Sequence, residues 1–324
     1  MFFTYQDPSI RYTGRFAEYD GAMTATATGS VIEIAFTGPE ILLHFDVRGN
    51  EHPYPHLWLC MDGGCRTEAP LSRYLRLEAE DGPHLLTVIF KSAKEQQPRF
   101  FHPLVGKISF LGYDAQGSGT VPEDNRKTLE VVGDSITEGV LIDDHLTSEI
   151  AQTGQDNRVY QDDVTATYAS LTAKNLNLKL LNMGYGAVGV TKSGCGAYPK
   201  AAEGYPYCFE GCPVSYGHPD YILINHGAND RRPENAVHYT EEYRKLLDLI
   251  RNTHPQSKIF CLSPFCGAFV PELSALIEAY NLENSTDIVF ISSEGWISPD
   301  PLHPRRDGHK TVSEHLTKTL KQYL

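Results

Sequence analysis

An antiparallel β-sandwich followed by a parallel α/β domain is the fold this sequence predicts. Over residues 1–113 apolar and polar side chains alternate with period two, the mark of strands buried on one face. Beyond residue 126 that alternation gives way to short, nearly continuous apolar runs with helical stretches between them. Strands buried on both faces of a parallel sheet read this way. A length of 324 residues fits two domains.

Taken in order, Ile32, Ile34 and Phe36 share one face against Glu33 and Ala35. Ile41, Leu43, Phe45 and Val47 do the same against His44 and Asp46, and Leu86, Val88 and Phe90 follow, then Ile108 and Phe110. Asp62-Gly63-Gly64 and Asp81-Gly82-Pro83 supply turns. The economical closure of such strands is a sandwich of jelly-roll type. The domain is expected to end near Tyr113. Residues 114–125, including Ala115-Gln116-Gly117-Ser118-Gly119, have the composition of a linker. The second domain, 126–324, offers strands at 129–132, 178–181, 221–224, 259–262 and 288–291. Tyr243, Leu246, Leu247 and Ile250 lie on one helical face; Val312, Leu316 and Leu320 lie on another. Two long connections stand out. Residues 141–161 are acidic and polar, and 194–219 are rich in glycine, tyrosine and cysteine; the second is expected to shape a substrate site.

A formal net charge of -13 opposes binding to phosphate backbones and anionic membranes, so nucleic acid and lipid surfaces are not expected partners. No apolar run approaches the roughly 20 residues of a spanning helix. The start Met1-Phe2-Phe3-Thr4 carries no basic and apolar leader pattern, and a cytoplasmic address is the expectation. The seven cysteines include Cys208 and Cys212, but no second Cys or His pair stands at zinc-site spacing. Free thiols, and neither metal nor cofactor, are expected. The composition is compatible with a homo-oligomer.

The chemistry is carried by three short segments, each at the end of an apolar strand. Gly133-Asp134-Ser135 follows Leu129–Val132 and holds out a serine hydroxyl where α/β sheets place their sites. His226-Gly227-Ala228-Asn229-Asp230 follows the strand at 221–224. Asp300-Pro301-Leu302-His303 lies between the last strand and the last helix. Ester hydrolysis by serine needs a nucleophile, a base, a group to orient the base and donors for the oxyanion. Ser135, His303, Asp300 and the Asn229 amide fill those roles in that order.

In these segments the chain resembles the SGNH/GDSL hydrolase superfamily, over roughly residues 126–324. The resemblance implies a three-layer, flavodoxin-like α/β domain, with Ser135, Asp300 and His303 as catalytic residues and the Asn229 amide and the Ser135 N–H as oxyanion donors. It also implies a second backbone donor in Asn182-Met183-Gly184-Tyr185-Gly186-Ala187-Val188-Gly189. Counting from Asn182 points to Ala187, whereas the shape of the motif points to Gly189. A sandwich ahead of such a domain is similar to carbohydrate esterase family 2, whose members remove acetyl groups from poly- or oligosaccharides. Some members use a serine–histidine pair without an acid; Asp300 here implies a full triad.

The expected function is therefore removal of O-acetyl groups from an oligosaccharide through an acetyl-serine intermediate. Tyr185 beside the oxyanion loop and Trp296 near His303 are candidate substrate contacts. His226 has the look of a structural histidine, and Asp134 of a turn-stabilising residue. Two rivals share these residues: a lipase, thioesterase or arylesterase of the same superfamily, and a glycan-binding protein that has lost catalysis.

Overall fold

The computed structural model describes residues 1–143 and 158–324. Residues 144–157, within the acidic connection singled out above, lie outside the described residues.

The first domain consists of β1 (Phe2–Thr4), β2 (Ile10–Thr13), β3 (Phe16–Tyr19), β4 (Ala22–Ala25), β5 (Val31–Phe45), β6 (His56–Met61), β7 (Arg66–Pro70), β8 (Tyr74–Glu78), β9 (Pro83–Ser92) and β10 (Ile108–Ser118). They pair antiparallel along the path β3-β4-β10-β5-β9-β6-β7, with β1, β2 and β8 branching from it. The long β5 serves both layers of the sandwich. Its first half pairs with β2 and β9, and its second half with β8 and β10. The alternating residues Ile32, Ile34, Phe36, Ile41, Leu43 and Phe45 are fully buried between the layers, with Leu86, Val88, Phe90 and Phe110. At about 1.5–3 kcal/mol for each large apolar side chain buried, this period-two pattern fixes which face turns inward.

One boundary departs from the sequence reading. β10 continues to Ser118, so 114–118 is strand rather than linker. Ala115 pairs with Ile41 and Ser118 with Phe36, with register shifts on either side of Gly112–Ala115. Ala115 is buried in the sandwich core, and its N–H donates to the Met1 carbonyl. Partners from distant parts of the chain thus hold a segment whose composition alone reads as flexible.

The second domain runs β11 (Thr128–Gly133), α1 (Ser135–Glu138), α2 (Arg158–Gln161), α3 (Tyr168–Asn175), β12 (Lys179–Gly184), α4 (Ala201–Gly204), a hairpin of β13 (Tyr207–Phe209) and β14 (Cys212–Pro213), β15 (Tyr221–Asn225), α5 (Ala236–Thr253), β16 (Lys258–Leu262), α6 (Val270–Asn284), β17 (Val289–Ile291) and α7 (Arg306–Leu320). Its sheet is wholly parallel in the order β12-β11-β15-β16-β17. Alternate strand residues feed two cores. Val132, Ile222, Ile224 and Ile259 pack with Leu246, Leu247 and Ile250 of α5 and Leu273 and Ile277 of α6. Leu129, Val131, Leu223 and Phe260 pack with Tyr168 and Ala169 of α3 and Val312, Leu316 and Leu320 of α7. This is a three-layer α/β domain.

The segment 194–219 has a structural role. It joins the domains: Tyr198 packs edge-on to Phe100, and Cys208 and Phe209 form a small core with Leu104. All seven cysteines are free thiols. Two ion pairs cross the interface with all four side chains at most 2% exposed. Arg15 reaches Glu130 at 3.0 Å, and Arg99 reaches Glu138 at 2.5 Å. The hydroxyls of Tyr205 and Tyr216 also donate to Glu130.

Candidate active site

Winding of the parallel sheet reverses between β11 and β15, so a crevice opens beyond their carboxyl ends. Ligand sites of open α/β sheets occur there. Ser135 leaves β11 at this point, and Asn229 leaves β15 at the same rim.

Local chemistry fixes the serine. The Asp134 side chain accepts from the Ile136 N–H at 3.0 Å and caps the single turn of α1. Gly139 closes that turn in the left-handed region, at φ 88°, with its N–H on the Ser135 carbonyl at 3.0 Å. A side chain at 139 would be strained there. Ser135 Oγ comes to 2.8 Å from His303 Nε2. His303 is half-buried on the connection from β17 to α7. With its lone pair on Nε2 the imidazole is placed to take the hydroxyl proton.

The expected link from Asp300 to His303 is not made. The Asp300 side chain is exposed and forms no hydrogen bond or ion pair among the described residues. Its backbone is tied locally instead: the Asp300 N–H donates to Ser298 Oγ at 3.2 Å, and that hydroxyl lies 2.8 Å from the Asp300 carbonyl. A turn closed this way aims the carboxylate at solvent. Sequence spacing alone could not exclude that.

Backbone donors separate the two candidates in the loop after β12. The Gly189 N–H is spent on the Lys192 carbonyl at 3.1 Å. The Ala187 N–H has no partner among the described residues; Ala187 is half-buried, in the left-handed region at φ 58°. Nor does the Ser135 N–H have a partner among the described residues. Ser135 and Ala187 therefore each keep a donor available at this rim.

Asn229 Nδ2 donates to Asp134 Oδ2 at 3.2 Å and to the Val188 carbonyl at 3.0 Å, stitching the serine turn to the loop. Its neighbour Asp230 braces the same loop, accepting from the N–H groups of Val190 and Thr191 at 3.2 and 2.9 Å. Burial pushes the Asp134 carboxyl up to about 7. Burial likewise drives His226 down to about 4, which keeps it neutral as befits a structural residue.

Of the two candidate substrate contacts, Tyr185 does not lie open to a ligand. Tyr185 is 1% exposed, stacks on Tyr198 at 3.8 Å and hydrogen-bonds Thr26 at 3.0 Å. It is core, so it walls no acyl pocket. Trp296 is half-buried, with one face stacked on His315 of α7 at 5.1 Å.

Several residues about the site had no signal in the sequence. Arg99 pairs with Glu138 in the serine turn and lies 5.2 Å from the Tyr185 ring centre. Glu95 abuts Gly186, where an added Cβ would collide with the Glu95 Cγ. Both come from residues 91–100, whose polar composition resembles a surface loop. Arg306, three residues after His303, grips Asp143 through two bonds of 2.6 Å and Asp163 through one of 3.0 Å. Asp163 also accepts from Trp58 Nε1 of the sandwich at 3.2 Å.

Comparison with known proteins bears on the family and the fold. The GDSL-like Lipase/Acylhydrolase family model matches residues 131–311. The cellulase/esterase CelE of Acetivibrio thermocellus is 25% identical over 351 residues, covering 98% of this chain and 40% of CelE. The chain thus spans less than half of that relative's length. A family two carbohydrate esterase from Cellvibrio japonicus superposes with a TM-score of 0.80 at 20% identity, over 99% of this chain and 97% of the other. An acetyl xylan esterase from Butyrivibrio proteoclasticus gives 0.78 at 19% identity, over 100% and 99%. A family two carbohydrate esterase from Clostridium thermocellum, in complex with cellohexaose, gives 0.77 at 21% identity, over 97% and 98%. These likenesses establish the two-domain fold of a β domain and an α/β domain. With the family match spanning more than half its length, the chain belongs to the GDSL-like lipase/acylhydrolase family.

Proposed function

We propose that this protein is a serine esterase that removes O-acetyl groups from carbohydrate, with an acetylated oligosaccharide as substrate. The observation that carries the reading is the 2.8 Å contact between Ser135 Oγ and His303 Nε2 at the sheet's switch point. His303 takes the hydroxyl proton as Ser135 attacks the acetyl carbonyl. The oxyanion is received by the N–H groups of Ser135 and Ala187. Asn229 adds a third donor by giving up its longer bond, the 3.2 Å contact to Asp134. The sugar hydroxyl leaves with the proton from His303, and water then clears the acetyl-enzyme. Asp300 contributes at most a solvent-screened charge to this pair.

The choice of acetyl groups on carbohydrate is supported by the names of the relatives, two of which are carbohydrate esterases and one an acetyl xylan esterase. The test is acetate release from acetylated xylo-, manno- and gluco-oligosaccharides, beside hydrolysis of 4-nitrophenyl acetate and butyrate. Activity that vanishes in Ser135→Ala and drops from acetate to butyrate is expected. A preference for butyrate identifies a lipase-like enzyme, and activity that survives Ser135→Ala removes the assignment.

A further inference from the structure

We infer that Arg99 is a positioning residue for the oxyanion site, through which the sandwich domain sets the geometry of a reaction whose reacting groups all lie in the other domain. The inference rests on the esterase reading above. Two backbone donors must converge on one oxygen, and they come from separate segments: Ser135 from the turn after β11, Ala187 from the loop after β12. Arg99 touches both segments from beneath. Its guanidinium binds Glu138, three residues after Ser135, at 2.5 Å, and lies 5.2 Å from the ring centre of Tyr185, two residues before Ala187. The Arg99 side chain is 2% exposed, so water has little part in this contact. Glu95 presses against Gly186 from the same side, and the Cys195 thiol contacts Glu95 at 3.6 Å. The Cys195 N–H donates to the Gly186 carbonyl at 2.8 Å. Residues 95–99 thus form a common floor under the nucleophile turn and the donor loop.

The second interdomain pair makes a like-for-like control. Arg15 and Glu130 are as buried as Arg99 and Glu138, yet Arg15 spends its other bonds on the Tyr205 and Tyr207 carbonyls, in the segment that joins the domains. Replacing both members of a buried pair by neutral residues avoids stranding a charge and is often tolerated. The experiment compares Arg99→Met/Glu138→Gln with Arg15→Met/Glu130→Gln in the full chain. Both are assayed on 4-nitrophenyl acetate well below their melting temperatures, and both are titrated with a trifluoromethyl ketone that mimics the tetrahedral oxyanion. Misplacing reacting groups by about an ångström costs on the order of 100-fold.

The expectation for the first double variant is a kcat loss of about 10- to 100-fold, KM within twofold, and analogue affinity lost in step with kcat. The control should lose melting temperature but keep kcat and analogue affinity. Equal behaviour of the two double variants, or unchanged kcat in the first, overturns the inference. If the first does not fold, Arg99→Lys replaces it. Lysine keeps the charge on Glu138 but not the planar fork, and unchanged kcat in that variant overturns the inference equally. Wild type lacking Ser135-dependent activity would instead remove the esterase reading itself, which separates the two failures.

Discussion

Asp300→Asn should leave catalysis nearly intact. In serine hydrolases whose aspartate is hydrogen-bonded to the histidine, the same change costs about 10⁴-fold. Here the carboxylate is exposed and makes no bond to His303. What remains is an interaction through water, and exposed charge pairs are worth about 0.2–1 kcal/mol. At 1.36 kcal/mol per tenfold in rate, the upper figure corresponds to roughly fivefold. The assay is kcat/KM for 4-nitrophenyl acetate from pH 5 to 9, with Asp300→Ala and His303→Ala alongside. Both Asp300 variants should stay within about fivefold of wild type and keep its acid limb, where the imidazole protonates. His303→Ala should fall by several orders of magnitude and lose that limb. A loss beyond about 100-fold in a folded Asp300→Asn protein would refute the argument, because only a direct bond to the imidazole could produce it.

Asn229→Ala removes one proposed oxyanion donor together with the stitch from the serine turn to Val188; kcat should fall about 100- to 1000-fold, and a loss below tenfold would take Asn229 out of the site. Asp134 gives a prediction about stability. Burial raises its carboxyl from 3.8 to about 7, so the folded protein holds a proton that the unfolded chain releases from about pH 4 upward. Its contribution to stability is full below the unfolded value and is lost as pH rises through 7. Asp134→Asn abolishes that titration and keeps an N-cap, so it should gain on wild type between pH 5 and 8, by a few kcal/mol on the scale of the shift. Denaturant midpoints at several pH values measure this. A difference between the two proteins that does not change with pH contradicts the raised carboxyl. Gly186→Ala should lower kcat about tenfold or more with little change in KM, because the methyl displaces the loop that carries Ala187. Unchanged kcat would show that the Glu95 contact is not needed.

What could be seen in the sequence was whatever depends on near neighbours in the chain. The apolar runs at 129–132, 221–224 and 259–262 became β11, β15 and β16 within a residue or two. Parallel strands buried on both faces leave an unbroken apolar signature, and their ends are where Ser135 and Asn229 appear. Period-two alternation likewise located the strands of the sandwich. It did not yield their pairing, because β5 exchanges partners halfway along and nothing in its own residues marks the change. Contacts between distant segments were the blind spot. Gln116 and Gly117 look like linker residues, yet β5 holds them in a strand. Tyr185 stands beside the donor loop in sequence but points into the interface, where Tyr198 and Arg99 receive it. Arg99 and Glu95 sit in a stretch whose composition gives no reason to bury them. The position of His303 was legible; the direction of the Asp300 side chain depends on how a serine five residues before His303 closes its turn.

The left-handed backbone at Ala187 bears on how such an enzyme would be dissected by mutagenesis. The group it offers is an amide hydrogen, which every amino acid except proline carries. Scanning with alanine, or with any of the other usual replacements, would pass over position 187 and report it dispensable. An ester in place of that single peptide unit, introduced by chemical synthesis or nonsense suppression, deletes the hydrogen while keeping every side chain, with a weaker Gly186 carbonyl as its one side effect, and would reveal what side-chain surveys conceal.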